Sequence, residues 1–414
     1  MKDGNDFHFD VHTIVGGTCL TGLAILAYTF WELPMEVLHH FEPSHAGRAR
    51  AGVILDADGI LFGTTSTGGV YGHGTLFQFA GNRLSMLFDF DGLNGRNPQD
   101  ALTLDGQGNL YGTTASGGKH DSGTLFKFAA GNLTTLCEFD GDNGRNPQGG
   151  LILDGQGNLY GTTSSGGAHG SGTLFKYDGR RLTTLCDFQG TNGRNPHGGM
   201  TIDFTGNLYG TTASGGAYDY GTVFKYDGRR LITLCHFDGS NGKSPEGGIK
   251  LDHRGRIYGT TSAGGAHRNG TLFRLDHGRL TTLWSFDGTS GKNPGGGMAF
   301  DNHGNLYGTT TFGGAHDGGT LFKYDGVGLT TLWNFDIFDG IYSSVNVTLD
   351  RQGNLYLTTS EGGAHSYGTL LRFNGLAPHD RTVHPTAIRK NIAHRYTEIP
   401  ERLNSVIPSI YVKK

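Results

Sequence analysis

Five histidines and two tyrosines recur in one register of this chain. His120, His169, His267, His316 and His365 each follow a Gly-Gly pair and one variable residue, and Tyr71 and Tyr218 hold that place in the two remaining copies. Neighbouring members of the series stand 49 residues apart. Each offers a flat ring with a polar atom, suited to stacking on a sugar or to hydrogen-bonding an acidic group. A second series is basic. Arg96, Arg145, Arg194, Lys243 and Lys292 sit in variants of Phe-Asp-Gly-x-Asn-Gly-Arg-Asn-Pro, with Asp91, Asp140, Asp238 and Asp287 expected as their local counter-ions. Together they predict a ring of weak, similar ligand-binding sites that gains strength from repetition. The plainer alternative has each His or Tyr plugging its loop against the Gly-Gly backbone while the basic residues solvate the rim.

Metal chemistry is a poor fit. Histidines one repeat apart are too separated to share an ion at bonds of ~2.0–2.1 Å, and His120-Asp121 and His316-Asp317 give only two donors each. No Gly-x-Ser-x-Gly, His-Glu-x-x-His or phosphate-loop pattern occurs, so no catalytic residue, metal or cofactor is assigned. Carboxylates from different repeats could still meet in a central channel and act as an acid/base pair. Cys137, Cys186 and Cys235 share a register with Phe88, Trp284 and Trp333, which marks a packing position and predicts buried free thiols; Cys19 has no evident partner. A formal net charge of −4 with 17% charged residues gives no electrostatic case for nucleic acid.

The elements that must carry these residues are β-strands. The aromatic before each Gly-Thr-Thr, or its variant, falls at Phe62, Tyr111, Tyr160, Tyr209, Tyr258, Tyr307 and Tyr356, again at steps of 49. In one copy, Leu102–Asp105, Leu110–Thr114, Gly123–Phe128 and Leu133–Phe139 read as strands rich in Thr, Leu and Phe, separated by Gly-bearing turns. Four antiparallel strands per repeat and seven repeats predict an all-β, seven-bladed β-propeller. Glycine numbers 73 but proline only 11, so the glycine is turn chemistry of an ordered fold.

Met35–Phe41 matches the fourth strand yet precedes the first full repeat, while the last copy lacks a fourth strand after Phe373. The N-terminal strand is therefore expected to close the ring and remove two open edges. Strand parity sends the two-to-three loops and the blade-to-blade loops to one face, and the tight turns to the other. Every copy also has an Asp-x-x-Gly turn, at Asp56, Asp105, Asp154, Asp203, Asp252, Asp301 and Asp350. There the Asp is expected to bind backbone amides and the Gly to take positive φ, in preference to a calcium site.

Three domains are expected: residues 1–33, an apolar segment read as export signal or packed arm; 34–375, the propeller; and 376–414, a basic tail of about +4. Residues 13–31 are uncharged and raise membrane association or export, although Asp3, Asp6 and Asp10 outweigh Lys2 ahead of them. The repeat breaks at Ile337–Ser344, Leu357 and Glu361, where either one special site or an adaptation to ring closure is expected.

Leu182–Phe188, Asn192-Gly-Arg-Asn-Pro196, Gly206–Thr212 and Gly221–Phe224 resemble the bacterial GloVer tandem repeat of the choice-of-anchor proteins, over roughly residues 35 to 373. The resemblance implies a β-propeller on exported or surface proteins and transfers no catalytic residue. The tail has no recognisable anchor, so a cytoplasmic location stays open beside the cell surface. The expected function is a monomeric, non-catalytic propeller that presents a face to glycans or a surface protein. The rivals are a polysaccharide hydrolase or lyase and a purely structural docking ring.

Overall fold

A computed structural model describes residues 34–374, apart from His45 and Ser344. The expected N-terminal segment with Cys19, the membrane or export reading of residues 13–31, and the basic tail all lie outside the described residues. Seven antiparallel sheets form the seven-bladed propeller. In the second blade the strands are Thr103–Leu104, Leu110–Thr114, Thr124–Ala129 and Asn132–Glu138. The first strand is shorter than expected because the residues leading into it bond to the neighbouring blade. Thus the amides of Ile249 and Val347, each just before its strand, donate to Gly199 and Gly297 at 3.2 Å, and in the strand itself the Thr103 hydroxyl donates to the Leu151 carbonyl at 2.7 Å.

Packing accounts for the Gly-Thr-Thr signature. Gly112 lies opposite Phe126 on the third strand, and a Cβ there would come within 2.5 Å of the ring tip. The hydroxyls of Thr114 and Thr124 lie 2.9 Å apart in the buried interior, and Thr124 donates to the Asn94 carbonyl at 2.9 Å. The tripeptide thus makes room for a ring and fixes the loop before its blade.

The core is divided among the blade interfaces, with one apolar cluster at each. A fully buried phenylalanine after each fourth strand drives into the next blade. Phe90 meets Phe126 at 5.3 Å between centroids, and Phe139, Phe188, Phe237 and Phe286 repeat the contact with Phe175, Phe224, Phe273 and Phe322. Such edge-to-face pairs add to the burial term.

Met35–His40 is the fourth strand of the last blade, antiparallel to Thr369–Phe373. Phe41 continues the wedge against Phe77, with centroids 5.4 Å apart. The seam also carries Arg372–Glu36 and, at 3.3 Å, Arg48–Glu361. Glu361 and Leu357, two departures from the repeat, therefore have structural roles: one pairs across the seam, the other packs with Met35 and Leu371.

His40 makes the seam pH-sensitive. Its Nδ1 accepts the Ala364 amide at 3.1 Å, which only a ring unprotonated at that nitrogen can do. Burial, then His365, lowers its pKa below 6.5; burial foremost, with His40 and His365, does the same for His39 against the opposing Glu42. A pKa depressed by folding stabilises fully above the unfolded value and is lost as pH falls through the folded value. Denaturant midpoints should therefore drop as pH falls below about 6.5. His40→Asn, which supplies the acceptor that Asn334 gives Ala315 in the sixth blade, should shrink the drop. An unchanged pH slope in that variant would refute the assignment.

Candidate functional site

The long loops share one face, as expected, and backbone bonds fuse them. The Arg96 amide donates to Ser116 at 2.8 Å, ahead in the next blade, and the Asn97 amide donates to His73 at 2.9 Å, behind in the previous one. Asn97 takes φ of +54°, a left-handed conformation that asparagine tolerates better than most residues. The Gly-Arg-Asn-Pro stretch is thus mortar between blades. At Arg145 the pairing extends into a short strand, Arg145–Pro147, against Ser165 and Thr163.

The ring of His and Tyr side chains is on this face but does not converge. Tyr71, His120, His169, Tyr218, His267, His316 and His365 are all exposed, so they do not plug their loops. Each loop leans outward over its own fourth strand. The amide one residue before the His or Tyr is accepted by the strand's last side chain: Asp89 for Val70, Glu138 for Lys119, His236 for Ala217. His267 lines a shallow groove, with Trp284 and Asp287 among its walls.

The basic series pairs differently from the sequence expectation. Arg96 reaches Asp121 at 2.6 Å, Lys292 reaches Asp317 at 3.3 Å, and Arg194 pairs with Asp219. Lys243, facing Arg268 where an Asp would be, lies over the Tyr220 ring at 4.8 Å. Asp91, Asp140, Asp238 and Asp287 instead cap their own turns, as when Asp91 Oδ1 accepts the amides of Leu93 and Asn94 at 2.9 and 3.0 Å. An Asx turn satisfies a carboxylate locally before a mobile cation can. The paired cations are solvent-exposed, so each bond adds little stability.

Convergence occurs at the centre. On the long-loop face, the residues leading into the first strands enclose a cavity of about 330 Å³ at the channel mouth. One position of the 49-residue repeat supplies Arg50, Gln99, Gln148, His197 and Glu246, so its chemistry changes around the ring. The next position is small, Ala51, Gly149, Gly198, Gly247 and Gly296, and close approach explains why: a Cβ on Gly247 would lie 2.6 Å from the Thr260 hydroxyl and 2.7 Å from the Gly296 carbonyl. Asp100 is the exception in this register. Its side chain is half-buried on the cavity wall, and its Oδ2 is shut off from water with no hydrogen-bond partner. Burial pushes its pKa up to about 8. The sequence carries one signal for this residue, an acid in a series otherwise of small or apolar residues.

The remaining expectations resolve as structure. Asp105 Oδ1 accepts the amides of Gln107 and Asn109 at 2.9 and 2.8 Å, and Oδ2 accepts from the Asn109 side chain and the Tyr111 hydroxyl at 2.7 and 3.2 Å. Burial opposes ionisation there, but these bonds hold the carboxyl below its usual range; the matching set takes Asp203 down to about 2. Gly108 has φ of +82°. Cys137, Cys186 and Cys235 are free but only half-buried; burial raises all three thiols, Cys235 to about 12. In the broken loop, Trp333 Nε1 donates to Asp339 at 2.8 Å and Tyr342 packs on Phe312 at 5.0 Å. Tyr342 also lines the channel mouth, while Ile337 and Phe338 are exposed. No helix among the described residues is long and apolar enough to cross a membrane.

The model of the Gloeobacter/Verrucomicrobia repeat matches residues 24–224 and 198–385. No curated protein matches the sequence. Among solved structures, the chain is similar to the extracellular domain of a protein described as a one-component system from B. thetaiotaomicron, at TM-score 0.55 and 14% identity over 81% of this chain and 40% of that one. It thus spans under half of that protein's length. A gluconolactonase from Xanthomonas campestris aligns at TM-score 0.44 and 15% identity, over 72% of this chain and 89% of the other. At such identities the likeness is one of fold alone.

Proposed function

Because this chain belongs to the Gloeobacter/Verrucomicrobia repeat family and folds as a repeat propeller, we propose that it is a non-catalytic binding module that takes a saccharide at the mouth of its channel. The observation that carries this reading is the cavity itself. Its walls gather Arg50, Gln99, Gln148, His197 and Glu246 from five repeats, while recurrent residues build the blades. Amides, an imidazole and charged groups supply both donors and acceptors, as a polyhydroxylated ligand requires. The outer His and Tyr ring is an accessory rim in this reading, and an exported or surface location belongs to the same proposal.

Calorimetric titration with cellotriose, maltotriose and xylotriose tests it. Gln99→Ala with Gln148→Ala should weaken binding about tenfold or more, the equivalent of roughly 1.4 kcal/mol. Substituting Ala at His120, His169, His267, His316 and His365 together should change it by less than about threefold. The reverse ranking would move the site to the rim. A second reading, a polysaccharide hydrolase or lyase, is favoured by two carboxyl groups, Asp100 and Glu246, facing one cavity. Glycan turnover abolished by Glu246→Gln would establish it in place of the first.

A further inference from the structure

We propose that Asp100 works as a neutral carboxylic acid whose Oδ2 stays buried while its other oxygen carries the proton and donates it to a hydroxyl of an uncharged saccharide, and that it sets the specificity of the channel mouth. The inference rests on the binding reading above and adds the group that selects the ligand. Its basis is geometric. Asp100 Oδ2 is out of water and unpartnered in the wall of a cavity, although Arg50 lines the same cavity. An ionised carboxylate left so would carry its full desolvation penalty, whereas a protonated one needs only one acceptor and one donor.

The neighbours match that neutral form. Gln99 precedes Asp100 in the chain and Gln148 leads into the next blade, and each amide carries both a donor and an acceptor. This stretch of the mouth offers alternating donors and acceptors without net charge, which favours hydroxyl groups over a carboxylate or an ammonium. The titratable groups facing the cavity from the other blades are Arg50, His197, Glu246 and Tyr342. Lys250, at the start of the first strand of the fifth blade, is exposed and is not part of the cavity wall. The pKa of Asp100, about 8, agrees with the geometry: the acid form prevails at neutral pH and disappears in mild alkali.

Apparent affinity scales with the competent fraction. Binding of the tightest of the three trisaccharides should therefore be flat from pH 6 to 7 and fall about tenfold between pH 7 and pH 9, given a pKa of about 8. Asp100→Asn keeps a donor and an acceptor without the charge. It should bind within about threefold of the native chain at pH 7 and lose the alkaline fall. Asp100→Ala should lose binding about tenfold or more at every pH, with thermal unfolding midpoints confirming that both variants fold. Loss of binding in Asp100→Asn at pH 7, or a flat native profile, would overturn the proposal while leaving the channel reading in place. Failure of the native protein to bind any of the three sugars would overturn both. A direct readout needs no ligand: the Asp100 carboxyl carbon, followed by NMR, should titrate near 8, and a midpoint below about 5 would refute the neutral acid.

Discussion

Phe41→Ala is expected to destabilise the propeller by about 3–5 kcal/mol, although residue 41 lies outside every complete repeat. Its ring is fully buried and meets Phe77 across the seam, as Phe90 meets Phe126 inside the ring. Phe139→Ala, which removes the same contact between ordinary blades, should cost about as much. Losing the whole N-terminal strand should do more than destabilise. Deleting residues 35–41 strips the Thr369–Phe373 strand of its partner, leaving unpaired backbone that other copies can join. The shortened chain should form larger assemblies on a sizing column, and a synthetic peptide of residues 35–41 should restore the elution of the native chain. A Phe41→Ala chain within about 1 kcal/mol of the native one would mean that the seam is not a full interface.

This closure is legible in the sequence because the repeat is strict. A 49-residue frame with a surplus fourth strand at Met35 and a missing one after Phe373 has one simple solution, and Met35 pairs with Phe373. Strand positions are legible for the same reason, since Leu110–Thr114 is both the expected and the observed second strand. The first strand differs from expectation at its ends, because Leu102 is placed by neighbours that lie far away in sequence and Asp105 belongs to the turn that it caps.

The proposed binding site is much less legible. Recurring chemistry points to His120 and its equivalents, which the loops carry outward. The residues that meet stand where the repeat changes from blade to blade: Arg50, Gln99, Asp100, His197 and Glu246 vary because only the backbone beside them has to repeat. Asp100 is hard to single out in the sequence because it stands once, at a position whose equivalents are glycine, alanine and valine. The counter-ion of Arg96 escapes a sequence reading for a related reason. Asp91 is near in sequence but satisfied by its own turn, whereas Asp121 is brought in by a hairpin loop folding back.

Leu357 tests how far a departure from the repeat can be read as packing. In six blades a glycine of the second strand faces a buried phenylalanine of the third, as Gly308 faces Phe322; in the last blade Leu357 faces Leu371, both fully buried. The volume given up on one strand has been taken up on the other. Leu357→Gly alone should cost about 3–5 kcal/mol, from the cavity and from glycine's backbone entropy. Leu371→Phe alone should cost about 1–3 kcal/mol through overpacking against Leu357. Combined, they recreate the pair found in the other blades, with the new ring able to meet Phe335 as Phe322 meets Phe286. The double variant should therefore be more stable than the sum of the single losses by about 1–3 kcal/mol in a denaturation cycle. Additive losses would show that the two leucines do not share one space, and would return Leu357 to the residues whose departure needs a functional cause.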